Sequence, residues 1–111
     1  MFQYNAALLN VVDGDTLKLR VDLGFHVHVE ETIRLARIDA PEMSTLPGQL
    51  ARAFVQQQLN DALALQVRTN RSEKYGRWLG EVDFQTAQGG QQWINLNDLL
   101  LQERHAQPYS P

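Results

Sequence analysis

The feature that most constrains the fold is the Asp13-Gly14 dipeptide set between an apolar run ending in Val11-Val12 and a strictly alternating segment. Asp-Gly between two such runs is a tight-hairpin signal, because glycine accepts the left-handed backbone that short hairpin turns demand. From Asp15 to Val21 the alternation is unbroken: Leu17, Leu19 and Val21 share one face, and Thr16, Lys18 and Arg20 the other. A period of two places one face on a core and the other in water, so the chain opens with an antiparallel hairpin. Asp15 falls on the apolar face, at its mouth. A carboxylate there loses water unless a cation meets it, so it is either wet turn chemistry or a ligand.

The next stretch, Ile33-Arg-Leu-Ala-Arg-Ile-Asp-Ala-Pro-Glu42, begins as a strand and breaks at Pro41, which has no N–H for a ladder. Asp39 and Glu42 flank that break, either as a charged turn or as groups converging on something bound, since loops over a rigid scaffold carry much binding chemistry. Between these landmarks, Asp22-Leu23-Gly24 predicts a turn. Phe25, Val27, Val29, Ile33 and Leu35 predict a long third strand with an irregularity near Glu30-Glu31. His26 and His28 share a face, and with no third ligand nearby they read as a solvated face rather than a metal pair.

Beyond Glu42, Ser44 or Thr45 offers a helix cap. Leu50, Phe54, Val55, Leu59, Ala62 and Leu63 then recur at helical spacing as a core-facing stripe. A fourth strand is expected over 64–69 and a fifth over 77–84, joined by a cation-rich loop. The turn at Ala87-Gln88-Gly89-Gly90 returns the chain through 91–94. Asn95 and Asp98 form a capping box for a short helix carrying Leu96, Leu99 and Leu100, and the Gln107–Pro111 tail is expected to fray. The expected fold class is α+β, mainly β: a five-stranded OB-fold barrel with one helix between strands 3 and 4 and a short C-terminal helix.

Composition narrows the function. A chain of 111 residues, 43% hydrophobic, has room for one domain, 1–111, with a single core. No cysteine is present, which excludes disulfides, thiolate catalysis and Cys-ligated metals. No apolar run reaches the roughly 20 residues of a membrane span, and the N-terminus lacks a signal-peptide pattern, so a cytoplasmic protein without membrane partners is expected. The net charge of −3 argues against a phosphate-rich partner. That charge disappears once Asp15, Asp39 and Glu42 are set aside as one site, and a divalent cation there would offset most of their charge.

Three segments together carry a resemblance: Val-Val-Asp-Gly-Asp-Thr-Leu at 11–17, Ile-Arg-Leu-Ala-Arg-Ile-Asp-Ala-Pro-Glu at 33–42, and Glu-Lys-Tyr-Gly-Arg at 73–77. In order and type they resemble the motifs of the staphylococcal nuclease (thermonuclease) family, over roughly residues 5 to 106. The resemblance implies an OB-fold barrel that cleaves DNA and RNA with calcium and leaves 3′-phosphate products. It implies Asp15 and Asp39 as metal carboxylates, and Ala40, where the family has threonine, as the residue lending a backbone carbonyl. Glu42 matches the proposed general base, Arg34 and Arg77 the phosphate-binding arginines, and Lys74 and Tyr75 contacts to the terminal phosphate. Tyr109 is the candidate for a tyrosine near the C-terminal end of the family site. The family's final long helix has no counterpart in the chain, which leaves monomer and weak homodimer both open.

Elementary chemistry agrees with these roles. Carboxylates and a carbonyl make an all-oxygen set suited to Ca²⁺ rather than zinc. Arginine forks hold phosphate oxygens in pairs and, with a pKa above about 12, stabilise charge rather than donate protons. Two functions of different class are therefore expected: a calcium-dependent phosphodiesterase of low sequence specificity, or a catalytically silent OB-type module binding nucleic acid or protein. Retention of Asp15, Asp39, Glu42, Arg34 and Arg77 together favours the first.

Overall fold

The computed structural model describes residues 2–72 and 77–109. In chain order the elements are β1 (Phe2–Asp13), β2 (Thr16–Asp22), β3 (His28–Leu35), β4 (Ile38–Asp39), α1 (Leu46–Asn60), β5 (Ala62–Ser72), β6 (Trp78–Thr86), β7 (Ile94–Asn95), α2 (Leu96–Gln102) and β8 (Gln107–Pro108). The main sheet runs β3-β2-β1-β5-β6-β7, and β3 also pairs in parallel with β6 through Ile33–Trp78, Arg34–Leu79 and Leu35–Gly80. That last pairing closes β1, β2, β3, β6 and β5 into a ring, the closure expected of the OB-type barrel.

Strand β1 makes the ring possible by serving two neighbours. Its first half pairs with β5 and its second half with β2, the two meeting at Ala6, and irregularities at Leu8/Asn10 and Val11/Asp13 bend the half that pairs with β2. Inward positions form one apolar cluster: Val11, Leu17, Leu19, Ile33, Leu35, Val67, Val82 and Phe84 from strands, Val55 and Leu59 from α1, Leu96 and Leu100 from α2. The alternation predicted for Leu17, Leu19 and Val21 is observed, with Lys18 and Arg20 exposed between them.

Several expectations are corrected. Asp13 pairs with Thr16, so the hairpin turn is Gly14-Asp15 and Asp15 belongs to the turn rather than to the second strand. The third strand starts at His28. Phe25 and His26 lie in a left-handed turn at φ 52° and 61°, and the register through Glu30-Glu31 is regular. The chain leaves β3 at Ala36-Arg37, with Arg37 at φ 71°, well before Pro41.

The helix begins at Leu46 with Pro47 in its first turn. It is capped by Thr45, whose Oγ1 accepts from the Gly48 N–H at 3.2 Å, and it stops at Asn60. Its buried stripe is Gly48, Ala51, Val55 and Leu59, while Leu50 is 52% and Leu63 71% exposed. Small residues win because the helix lies against backbone. A Cβ on Gly14 would come within 2.8 Å of the Ala51 Cβ, and one on Gly48 would overlap the Glu42 carbonyl. Ala62 and Leu63 belong to β5, whose hydrogen bonds to β6 outcompete a last helical turn.

Of the tail expected to fray, Gln107 to Tyr109 are held in place, and residues 110 and 111 lie outside the described residues. Gln107 pairs with Asp39 and Pro108 with Ile38, and the Tyr109 N–H donates to Arg37 O at 2.8 Å. Among the described residues no helix is long and apolar enough to cross a membrane.

Candidate active site

The structure brings five of the expected residues, Asp15, Arg34, Asp39, Ala40 and Tyr109, together where β3 ends. Asp15 is buried in the Gly14-Asp15 turn because its main chain is pinned on both sides. Its N–H donates to Asp13 Oδ1 at 3.0 Å, and its carbonyl accepts from Leu35 N at 2.8 Å. Its carboxylate accepts from the Thr16 hydroxyl at 3.0 Å and from the Ala40 N–H at 2.8 Å. Thr16 in turn pairs with Arg34 across the β2–β3 ladder, so register alone delivers the arginine to the carboxylate.

The Arg34 guanidinium, largely buried, places one nitrogen 3.5 Å from Asp15 Oδ2 and 3.4 Å from Asp39 Oδ1. Its other terminal nitrogen donates to the Leu35 carbonyl at 2.8 Å, which fixes the fork. The Tyr109 ring, carried there by the β4–β8 pairing, lies 5.8 Å from the guanidinium carbon, within cation–π range. Asp13, behind the turn, has its carboxyl pushed above the usual range, first by burial and then by the neighbouring Asp15 carboxyl.

Glu42 is placed differently. It sits exposed on the loop leading into α1, and among the described residues its carbonyl rather than its carboxylate is engaged, accepting from Thr45 N at 3.0 Å and Thr45 Oγ1 at 2.6 Å. Arg77 stands at the head of β6, one residue before Trp78, whose partner Ile33 adjoins Arg34. Lys74 and Tyr75 lie outside the described residues. His26 and His28 are exposed and far along the sheet from Asp15, as a solvated face requires.

The sequence reading missed two groups that hold the site in place. Asn97, fully buried on α2, accepts from Val82 N at 3.1 Å and donates to the carbonyls of Ala36 at 2.9 Å and Gly80 at 3.2 Å. It ties the β3–β4 turn to β6. Arg37, on that turn, donates to both Glu81 oxygens at 2.8 and 2.7 Å and to Asp98 at 2.9 Å, contacts that raise its pKa further above the usual arginine value. A polar residue at an inward helix position was the available signal for Asn97. Arg37 gave none, because its partners lie 44 and 61 residues away in sequence.

Apart from Asp15, the arrangement lies between the second half of β3 and Tyr109, and a family model matches that segment. The model described as staphylococcal nuclease homologue matches residues 32–110. The chain belongs to the staphylococcal nuclease family. No curated protein sequence matches it. The match spans Arg34, Asp39, Ala40, Glu42, Arg77 and Tyr109, whereas Asp15 lies before it and joins the group through tertiary contacts alone.

For a metal, the donor set of this staphylococcal nuclease relative is all oxygen. Among the described residues no group of three or more His, Cys, Asp or Glu surrounds one point. Asp15 and Asp39 nevertheless approach a single Arg34 nitrogen, so two negative charges face one positive charge beside the Ala40 main chain. Hard carboxylate oxygens with a surplus of negative charge fit Ca²⁺ or Mg²⁺, and the absence of sulfur or paired imidazoles there does not fit zinc.

Proposed function

We propose that this chain is a calcium-dependent phosphodiesterase that hydrolyses DNA, RNA or both with low sequence specificity, leaving 3′-phosphate ends. The observation that carries the reading is Arg34 held between Asp15 and Asp39 beneath Tyr109. An arginine at so polar a strand end, backed by an aromatic ring, suits an incoming phosphate, which presents paired oxygens to the fork. Asp15, Asp39 and the Ala40 carbonyl would hold the cation, and when bound it would supply counter-charge for the phosphate and for an attacking water.

The chain's own residues do the rest. Arg34 and Arg77 bind the non-bridging phosphate oxygens and stabilise the charge that builds on them as water adds to phosphorus. Glu42, on a wet loop, accepts a proton from that water. The 5′ oxygen leaves with a proton from solvent, and phosphate stays on the 3′ side. Tyr109 covers Arg34 and holds its guanidinium beside Asp15 and Asp39, while Lys74 and Tyr75 contact the terminal phosphate. Binding to phosphate rather than bases explains why low sequence specificity is expected.

The exposed position of Glu42 favours one second reading, an OB-type module that binds nucleic acid or protein without cleaving it. Incubating plasmid DNA and RNA with the protein in Ca²⁺, Mg²⁺ or EDTA separates the two. Cleavage in Ca²⁺ that EDTA abolishes, with 3′-phosphate ends, is the expected result. Oligonucleotide binding with no cleavage in any metal would leave the module, and full cleavage in EDTA would remove the metal from the reading.

A further inference from the structure

The barrel end away from Asp15 carries a groove of about 360 Å³ lined by residues including Phe2, Tyr4, Leu23, Ile33 and Trp78, with Glu31 among its few polar groups. It is walled by the start of β1, the end of β2, β3 as far as Ile33, and by β5 and the first residue of β6, whereas Asp15 lies between the end of β1 and the start of β2 and does not line it. Its volume falls within the roughly 300–1,000 Å³ of ligand pockets and admits a benzyl group.

The wall of this groove continues directly into an unusual loop. Leu23 and Val27 are joined by the Leu23 N–H to Val27 O bond at 2.9 Å, and between them the chain projects Phe25, 98% exposed. Phe25 and His26 both adopt left-handed backbone, at φ 52° and 61°, next to Gly24 at φ 84°. Bulky residues rarely accept that conformation, and here the loop holds a benzyl group in water, where it gains nothing. One chain thus presents an apolar knob and, beside it, an apolar hole.

We propose that a second copy of this chain occupies the groove, in a two-fold pair in which Phe25 of each copy enters the groove of the other. A two-fold contact needs self-complementary features on one face, and a knob adjoining a hole meets that condition. Polarity agrees: His26 and His28, exposed just after the knob, carry imidazole N–H donors, and Glu31 in the groove offers a carboxylate acceptor. The area sets the strength. With aromatic side chains burying about 150–250 Å² each, Phe25, Phe2 and Trp78, at 98%, 65% and 37% exposed, supply roughly 400 Å² a side, about half of a standard stable interface. The pair is therefore weak and forms at high protein concentration.

Sedimentation velocity on the whole chain, from about 10 µM to about 1 mM, tests this range of affinity. The mass should climb from 12.7 kDa toward twice that value. Phe25→Ser, at a surface position that leaves the core intact, should weaken association at least about tenfold, as loss of a central aromatic anchor does. Methyl NMR gives an independent readout: Val29 and Ile33 signals should move with concentration in the parent and stay fixed in the variant. A parent monomeric throughout, or association indifferent to Phe25→Ser, overturns the proposal. So does binding of an oligothymidylate that depends on Phe25 while the protein stays monomeric, which would assign the knob to nucleic acid.

Discussion

Replacing Asn97 by alanine tests whether the site is held from behind. The amide satisfies three main-chain groups inside the molecule: it accepts from Val82 N–H and donates to Ala36 O and Gly80 O. Gly80 O keeps a second donor, Ala36 N at 2.8 Å, so its loss is small. Val82 N–H and Ala36 O lose their partner, and an unsatisfied buried polar group costs about 1–3 kcal/mol, with carbonyls at the lower end. The sum is about 3 kcal/mol, a large part of the roughly 5–15 kcal/mol that holds a domain together. For a chain of this length it lowers Tm by about 12 °C. Urea melts should show the midpoint falling with an unchanged slope, which marks a change in stability rather than in the unfolded state. Because Ala36 leads directly to Asp39, cleavage by the folded variant should fall as well. A Tm drop under about 3 °C would refute the reasoning, since it would mean water replaces the amide without penalty.

Gly48→Ala puts a Cβ into the Glu42 carbonyl, so either the helix or the Glu42 loop must move; a loss of about 1–3 kcal/mol in thermal melts is expected, and an unchanged Tm would contradict the close approach. Arg34→Ala should lower phosphodiesterase turnover on the order of 10²-fold, and Arg34→Lys should recover little because the fork is lost; near-parental rates in either variant would remove Arg34 from the site. The Asp13 carboxyl is raised first by burial and then by Asp15, so above the ordinary aspartate pKa the native state binds more protons than the unfolded chain, and stability falls as pH rises through that window. Asp13→Asn keeps an acceptor for the Asp15 N–H and should therefore raise Tm in EDTA at neutral pH while leaving it unchanged below the unfolded pKa; a lower Tm at neutral pH would reverse the assignment.

What was legible in the sequence is what depends on neighbours a few residues apart. Leu17, Leu19 and Val21 alternate because a strand has period two, and the capping residues Thr45 and Asn95 act on N–H groups three residues ahead, at Gly48 and Asp98. The motif around Asp39 marked a strand end with convergent charges for the same local reason. The remainder depends on which segments meet. Whether Gly14 or Asp13 opens the hairpin turn is decided by the β1–β2 register, and the buried face of α1 by the backbone it touches, which admits Gly48 and Ala51 and turns Leu50 outward. Tyr109 reaches Arg34 only because Gln107 and Pro108 pair with β4 across some seventy residues of chain, a contact no periodicity records. Side-chain type and spacing determine local geometry, whereas the partner of a buried charge or an unpaired main-chain group is chosen only when the ring closes, since only then does each lose its water.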